Sequence, residues 1–229
     1  MIEIFDLQKV YGTQMALSVD NLKIAQNDFV GLVGNNGAGK TTMLSLILDL
    51  IEPTKGYVTS KTIKVSDSDD WKCYTGSFLN EGFLIPFLSP FEFFEFIASL
   101  HGKNRADGKD FLEENKKFFE QNSFSGKYNR ELSAGNKNKI GILASFLTKP
   151  EILILDEPFS NLDPSSQSWL KAKLKALSSE GVTILISSHD LKHVTEVCNR
   201  ILLLEDGLII KDTNTSNETL IELEKYFEI

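Results

Sequence analysis

Short apolar runs alternate with helical patterns along this chain. The runs cover residues 29–33, 152–155 and 183–186 and are apolar almost throughout, as strands are when both faces of a sheet are covered. Polar residues and then a helical spacing of apolar positions follow each run. This alternation of strands and helices predicts an α/β fold with a mainly parallel central sheet.

Other segments carry different patterns. Residues 2–7 alternate like a strand, and residues 218–227 have helical spacing. The dipeptide Asp206-Gly207 between two apolar runs is a signal for a hairpin turn. We therefore expect an antiparallel β portion beside the parallel core.

The segment from about 83 to 129 is predicted to be helical and is rich in phenylalanine. Of the 16 phenylalanines, 11 lie between Phe78 and Phe124. Pro90 stands where a helix start tolerates proline, with Glu92 in the first turn. We interpret residues 1–229 as one domain, with a helical subdomain inserted at approximately 83–147. A small subdomain can hardly bury all these rings, so we expect some of them to form an exposed apolar groove.

Composition and charge narrow the functional class. The chain has 229 residues, a net charge of −8 and a pI of about 5.0, which disfavours a freestanding nucleic-acid binder because such proteins need a basic face. Two cysteines, Cys73 and Cys198, are too few for a disulfide scaffold and fit a reducing cytoplasm. The best candidate for a membrane span, residues 83–100, contains Pro86 and Pro90. We expect the chain not to cross a membrane by itself.

A phosphate-binding motif follows the first apolar run. Residues 34–42 match the pattern G-x-x-x-x-G-K-[ST], with a strand pattern before them and a helical pattern after them. Glycines let successive backbone N–H groups point at phosphate oxygens, and the helix start adds the positive end of its dipole. Lys40 should reach the β- and γ-phosphates, Thr41 should ligate Mg²⁺ and Thr42 should bond a phosphate oxygen. The candidate nucleotide-binding residues of this loop are Gly34, Asn35, Asn36, Gly37, Ala38, Gly39, Lys40, Thr41 and Thr42. The alternative is a glycine-rich turn that binds nothing, which the matching strand and helix disfavour.

Two carboxylates stand at the end of the second apolar run. Asp156 and Glu157 directly follow residues 152–155, where a buried strand leaves the core. Ligands of open α/β sheets bind at such carboxyl ends. Asp156 is predicted to hold Mg²⁺, and Glu157 to polarise a water for attack on the γ-phosphate. Taken alone, the pair would more often be a helix cap or a solvated loop.

Further motifs resemble those of one family. Residues 132–136, Leu-Ser-Ala-Gly-Asn, precede a helical pattern and resemble the signature motif of ATP-binding cassette (ABC) ATPases, usually Leu-Ser-Gly-Gly-Gln. Residues 160–163 resemble the D-loop of this family, and His189 resembles its switch histidine. Tyr11 stands where the family places an aromatic residue that stacks on adenine. The order and spacing of the motifs match over nearly the whole chain. The resemblance implies a P-loop NTPase fold of the ABC type.

The resemblance also implies how the site works. In this family, two nucleotide-binding domains pair head to tail, and each ATP lies between one subunit's phosphate loop and the other's signature motif. Ser133 and the Gly135 N–H would then donate to the γ-phosphate held by the partner. Tyr11 would stack on adenine, although an aromatic residue near a strand end is often only packing. His189 would contact the γ-phosphate and hold Glu157 and the water in place.

Three positions depart from the family pattern. Ala134 replaces a glycine, and its Cβ would crowd the partner's nucleotide if this residue needs a positive φ. Asn136 replaces a glutamine. At the Q-loop, this chain has Asn80 and then Glu81 instead of the family's glutamine. We expect Asn80 to take the Q-loop role towards the γ-phosphate and Mg²⁺ through a bridging water, and Glu81 not to take it.

The leading functional hypothesis is the ATPase subunit of a membrane ABC transporter, which converts ATP and water to ADP and phosphate. The resemblance implies ATP and Mg²⁺ as cofactors and a dimer of ATPase subunits, either a homodimer or a heterodimer. Because the chain is one cassette, we expect a separate transmembrane subunit to hold it in the cytoplasm, on the inner face of the cell membrane. In the family, the region after the Q-loop receives the coupling helix of that subunit.

Two other functions are compatible with some of these motifs. A soluble ABC ATPase acting on a ribosome or a nucleic-acid complex is the alternative, but such proteins usually need paired cassettes, a coiled coil or a basic surface. The single cassette and the net charge of −8 disfavour it, so we expect no nucleic-acid partner. A regulator that binds ATP without turnover is disfavoured because Lys40, Asp156, Glu157 and His189 are all present.

Overall fold

The computed structural model describes residues 1–119, 126–216 and 218–227 of the chain. In this part of the chain, two β-sheets are surrounded by helices. The strands are β1 (Ile2–Tyr11), β2 (Gln14–Ile24), β3 (Phe29–Val33), β4 (Lys55–Ser60), β5 (Ile63–Lys64), β6 (Thr75–Phe78), β7 (Ile152–Leu155), β8 (Thr183–Ser188), β9 (Arg200–Glu205) and β10 (Leu208–Asn214). The α-helices are α1 (Lys40–Ile47), α2 (Pro90–Leu100), α3 (Arg105–Glu114), α4 (Ala134–Phe146), α5 (Pro164–Ser179), α6 (Leu191–Val197) and α7 (Thr219–Phe227).

The central sheet contains the strands predicted from the apolar runs. Its order is β10-β9-β3-β8-β7-β6, and its neighbouring strands are parallel except for the antiparallel pair β9–β10. The turn between β9 and β10 is the predicted hairpin at Asp206 and Gly207. A second sheet, in the order β2-β1-β4-β5, is antiparallel. The predicted α/β class, with a parallel core and an antiparallel portion, is confirmed.

Strand β7 shows why the apolar runs are nearly continuous. Ile152 and Ile154 belong to the hydrophobic cluster that α1 and the four-stranded sheet build on one face of the central sheet. Leu153 and Leu155 belong to the cluster that the other helices build on the opposite face. Because successive side chains of a strand point to opposite faces, a strand covered on both sides needs apolar residues throughout.

Helices α2, α3 and α4 are inserted between β6 and β7. Helix α2 begins with a capping box, in which Ser89 accepts the Glu92 N–H and the Glu92 carboxylate accepts the Ser89 N–H, with Pro90 in the first turn. The limits of the helical subdomain, approximately 83–147, stay a prediction. None of the described helices has the length and apolar character that crossing a bilayer requires.

The phenylalanine-rich segment is only partly buried. Phe124 lies outside the described residues. Five of the other rings are buried, namely Phe78, Phe93, Phe94, Phe118 and Phe119. Three are exposed, namely Phe83, Phe87 and Phe96. The helical segment therefore uses some rings as its core and presents others to its surroundings.

Candidate nucleotide-binding site

The carboxyl ends of four neighbouring parallel strands meet at one edge of the central sheet. In spatial order, these strands are β3, β8, β7 and β6. They lead respectively into the phosphate loop, His189, the acidic pair and Asn80. Motifs that are far apart in the sequence therefore converge on the edge where open α/β sheets bind their ligands.

The phosphate loop closes around the ammonium group of Lys40. Lys40 Nζ donates to the carbonyl oxygens of Gly34 at 2.7 Å and Asn35 at 3.2 Å. Gly39 has a φ of 105°, and a Cβ at this position would lie 2.7 Å from the carbonyl oxygen of Ala16. Only glycine fits there without strain, because other residues avoid both this φ and this distance.

A cavity of about 480 Å³ lies over this loop, within the usual range for small-molecule sites. The loop and the acidic pair contribute to its walls Asn36, Gly37, Gly39, Lys40, Thr41, Thr42 and Glu157. The other wall residues, which no motif predicted as site residues, are Gln14, Met15, Ala16, Asp206 and Gly207. The β9–β10 hairpin contacts the phosphate loop, since the Gly207 N–H donates to the Ala38 carbonyl at 2.9 Å. The Asp206-Gly207 turn was visible in the sequence, but its position beside the loop depends on the pairing of distant strands.

Thr41 and Asp156 form the candidate metal site. Thr41 Oγ1 donates to Asp156 Oδ2 at 2.6 Å, and the Asp156 side chain is buried. The other carboxylate oxygen, Oδ1, accepts a hydrogen bond from the Ser187 hydroxyl. A hydroxyl and a carboxylate are the hard oxygen ligands that suit Mg²⁺, whose remaining positions are usually filled by water and phosphate oxygens. The donor set therefore fits the predicted metal.

Glu157 lies between two other predicted site residues. Its Oε1 is 3.6 Å from Lys40 Nζ, and its Oε2 is 2.9 Å from His189 Nδ1. The Glu157 side chain is 26% exposed and lines the cavity. A carboxylate in this place can polarise a water beside a phosphate that Lys40 holds. His189 would fix the orientation of the Glu157 carboxylate.

Tyr11 and Ser133 lie outside the described walls of the cavity. Tyr11 ends β1 with 53% of its surface exposed, and Lys9 Nζ lies 5.1 Å from its ring centroid. Ser133 is the N-cap of α4 and accepts the Asn136 N–H at 3.4 Å. The structure therefore leaves both residues accessible, and their roles in holding adenine and the partner's γ-phosphate stay predictions.

The signature motif tolerates its alanine but needs its glycine. Ala134 is the exposed first residue of α4, and its φ is not positive. The crowding considered from the sequence does not arise from backbone conformation, because a helix start requires no left-handed residue. A Cβ at Gly135 would lie 2.5 Å from the carbonyl oxygen of Asn161 in the D-loop. Gly135 therefore lets the D-loop pack directly on α4.

A partly buried ion pair strengthens the contact between α4 and the D-loop. Lys139 Nζ lies 2.8 Å from Asp163 Oδ2, and only 5% of the Lys139 side chain is exposed. This bond, followed by bonds from Ser165 and Ser166, holds the pKa of the Asp163 carboxyl well below its ordinary value. Asp163 therefore stays ionised at neutral pH and also caps α5.

Asn80 makes a local capping hydrogen bond in this structure. Asn80 Oδ1 accepts the Gly82 N–H at 2.9 Å and so caps the short 3₁₀ turn that follows β6. In the part of the chain described here, Asn80 has no hydrogen bond to Thr41 or Asp156. The capping bond engages the side-chain oxygen of Asn80, and the role of Asn80 towards Mg²⁺ and the γ-phosphate through a bridging water stays a prediction. The neighbouring Glu81 instead pairs with Lys137 of α4 at 3.1 Å.

Substitutions of Asn80 and Glu81 test whether Asn80 takes the predicted Q-loop role in ATP hydrolysis. Asn80→Ala should lower steady-state ATP hydrolysis about 2- to 10-fold, the effect of one lost hydrogen bond. Glu81→Ala should have a smaller effect, and Asn80→Gln should retain or raise activity because the longer amide restores reach. A damaging Glu81→Ala beside a silent Asn80→Ala would move the role to Glu81.

These features define the class of the protein. A strand, a phosphate loop and a helix, with acidic residues at the end of a parallel strand one place further along the sheet, form the nucleotide site of a P-loop NTPase. The sequence model of one family, described as ABC transporter, matches residues 17–160. The chain belongs to the ABC transporter family, as an ATP-binding cassette.

Individual relatives agree with this assignment. The chain is 35% identical over 207 residues to the uncharacterized ABC transporter ATP-binding protein YhaQ of Bacillus subtilis, covering 90% of this chain and 69% of YhaQ. It is 30% identical over 224 residues to the lantibiotic transport ATP-binding protein SrtF of Streptococcus pyogenes, covering 97% and 95% respectively. It resembles the dimeric structure of MJ0796, a bacterial ABC transporter cassette, with a TM-score of 0.85, 27% identity and coverage of 95% and 100%. A second dimeric structure of MJ0796, in a post-hydrolysis state with ADP and Pi, matches with a TM-score of 0.81 and 26% identity, and its coverage is also 95% and 100%.

Proposed function

We propose that this chain is the ATP-binding and ATP-hydrolysing subunit of a membrane ABC transporter, and that it acts as a head-to-tail dimer. The position of Glu157 carries the proposal: its carboxylate lines the phosphate-loop cavity between Lys40 and His189. A protein that only bound ATP would need Lys40 but would not need a carboxylate held by a histidine at this place.

Each residue of the site has a part in this chemistry. Lys40 exchanges its bonds to the loop carbonyls for bonds to the β- and γ-phosphates. Thr41 and Asp156 hold Mg²⁺, which supplies charge neutralisation to the phosphates. Glu157 takes a proton from the attacking water, and His189 keeps the Glu157 carboxylate aimed at that water.

The proposed dimer is supported by the surface position of the signature motif. Ser133 and Gly135 lie at the start of α4, outside the described cavity walls of their own chain. Helix N-termini favour anions, so this helix start suits the γ-phosphate of an ATP held by a second subunit. The MJ0796 structures, which match 95% of this chain, are described as dimeric and so support a dimer of cassettes.

The proposed membrane partner is supported by an apolar groove. The groove has a volume of about 340 Å³ and lies between β6, α2 and α4. Phe83, Phe93 and Ile97 are among the residues that line it, and Phe83 is 50% exposed. Exposed apolar surface of this kind marks sites of protein contact. We assign the groove to a helix of a separate transmembrane subunit, which would keep this chain in the cytoplasm at the inner face of the membrane.

A charge in the groove tests this assignment. Phe83→Glu should leave the fold and the basal ATP hydrolysis intact but should break assembly with the transmembrane subunit, because docking would bury an unpaired charge. The matched control is Ile221→Glu, since Ile221 on α7 is 54% exposed and does not line the groove. Assembly is measured by co-purification from detergent-solubilised membranes of the native host, with mass spectrometry identifying any multi-span protein that accompanies the wild-type chain. If Phe83→Glu unfolds, the ring belongs to the core; if it assembles as well as Ile221→Glu, the groove is not the docking surface.

The same purification distinguishes the proposal from a soluble ABC ATPase. We expect the tagged chain to co-purify from detergent with a multi-span membrane protein that stimulates its ATP hydrolysis. Co-purification with ribosomes or DNA, without a membrane protein, would favour the alternative. A purified chain that binds ATP but does not hydrolyse it, with or without its partner, would refute the enzymatic part of the proposal.

A further inference from the structure

One buried hydroxyl contacts both acidic residues of the site. Ser187 is the fifth residue of β8, the strand between β3 and β7, and it is fully buried. Its hydroxyl donates to Asp156 Oδ1 and accepts the backbone N–H of Glu157 at 2.9 Å. A serine hydroxyl has one proton to donate and lone pairs to accept, so these two bonds are compatible at the same time.

The first bond restrains the Asp156 carboxylate. Because Oδ1 is engaged by Ser187, the other oxygen is left to face Thr41, whose hydroxyl bonds Oδ2 at 2.6 Å. The two candidate metal ligands are thereby held next to each other. Without the Ser187 hydroxyl, the carboxylate could rotate about its χ2 bond, which has a broad torsional preference.

The second bond restrains the backbone of Glu157. Glu157 has a φ of 46°, a left-handed conformation that residues with a Cβ seldom adopt. The Ser187 bond to its N–H, together with the bond from the Ser160 N–H to its carbonyl at 3.0 Å, holds this turn in place. The turn directs the side chain towards Lys40 and His189.

We propose that Ser187 is a positioning residue for ATP hydrolysis, which holds the metal-binding carboxylate of Asp156 and the backbone of Glu157 in a fixed relation. The inference rests on the proposed ATPase function. The competing explanation is that Ser187 only satisfies buried polar groups where β7 meets β8. Thr183, at the opposite end of β8, provides the comparison: its buried hydroxyl accepts the Asn27 N–H at 3.0 Å, and among the described residues it has no hydrogen bond to a predicted site residue.

The test compares Ser187→Ala with Ser187→Thr, which keeps the hydroxyl, and with the control Thr183→Val. Ser187→Ala should lower kcat about 10- to 100-fold, as expected when reacting groups are misplaced by a fraction of an ångström or more. Its KM for ATP should stay close to that of the wild type. Ser187→Thr should recover most of the rate, and Thr183→Val should keep it.

A binding measurement adds a readout that does not depend on turnover. Isothermal titration with ADP, in the presence of Mg²⁺ and then of a chelator, gives the gain in affinity that the metal provides. This gain should be smaller in Ser187→Ala than in the wild type or in Thr183→Val, because Asp156 is less restrained. The affinity for ADP in the chelator should be unchanged.

The outcomes separate this inference from the proposed function. The positioning role is overturned if Ser187→Ala keeps the wild-type kcat and metal-dependent gain, if Ser187→Thr loses as much rate as Ser187→Ala, or if Ser187→Ala fails to fold. If the wild-type chain itself hydrolyses no ATP, the proposed function fails. The titration then still decides whether Ser187 holds Asp156 for the metal.

Discussion

Replacing Glu157 by glutamine is expected to slow ATP hydrolysis by about 10²- to 10⁴-fold, the range that a positioned general base contributes. Glutamine has nearly the same shape as glutamate and can keep a hydrogen bond to His189 Nδ1, which lies 2.9 Å from the Glu157 carboxylate in the wild type. The glutamine amide cannot accept a proton from water. ATP affinity should be retained, because Lys40 and the phosphate loop are unchanged. Single-turnover and steady-state measurements with radiolabelled ATP check both statements.

The same variant should accumulate as an ATP-bound dimer. A ligand that binds the closed state stabilises it, and without hydrolysis that state no longer decays. Size-exclusion chromatography with ATP should show the dimer, whereas ADP should give the monomer. The matched control is Glu151→Gln, because Glu151 lies before β7, at the end of the strand opposite Glu157, and pairs with Lys61. A Glu157→Gln variant that hydrolyses ATP as fast as Glu151→Gln would remove Glu157 from the role of base.

The parallel core could be predicted from the sequence because its signal is local. Strands covered on both faces, such as Ile152–Leu155, must be apolar throughout, and this pattern is visible without knowledge of the neighbours. The phosphate loop was equally visible, because glycine spacing, strand and helix all occur within one segment. Strands β2 and β4 were not predicted, since each has exposed positions and many polar residues.

The interior of the site could not be predicted in the same way, because it depends on strand order. Nothing in the local sequence indicates that β8 lies between β3 and β7, and only this order brings Ser187 to Asp156. The close approach of Gly135 to Asn161 likewise depends on the packing of α4 against the D-loop. The capping bond of Asn80 also depends on the turn that follows β6, which the residue type alone does not indicate.

The signature and D-loop motifs illustrate what a resemblance adds to local patterns. Neither motif would indicate a nucleotide site by itself, because each is a short polar segment before a helix. The structure joins them through the Lys139–Asp163 pair and through Asn138, whose side chain donates to the Ser160 carbonyl at 2.8 Å. A movement of α4 would therefore be passed to the D-loop.

Removal of the phosphate-loop lysine is the second change with a large expected effect. Lys40→Ala should weaken ATP binding about 10- to 100-fold, since a hydrogen bond to a charged group contributes about 1.5–3 kcal/mol. The Lys40 ammonium is already directed into the loop, where it bonds the Gly34 and Asn35 carbonyls, so little reorganisation precedes phosphate binding. ATP hydrolysis should fall further than affinity, because the same charge stabilises the transferred phosphoryl group.

The affinity of Lys40→Ala is measured by isothermal titration with ATP in a buffer that contains a chelator, so that no Mg²⁺ supports hydrolysis. Its ATP hydrolysis is measured separately in the steady state. Lys64→Ala is the control, because Lys64 lies on β5 of the four-stranded sheet and does not line the cavity. Thermal unfolding of both variants shows whether the loop remains folded, since Lys40 is buried and also bonds its own loop. ATP affinity equal to that of Lys64→Ala would mean that nucleotide does not bind at this loop. The cavity over the phosphate loop would then have to bind a different ligand.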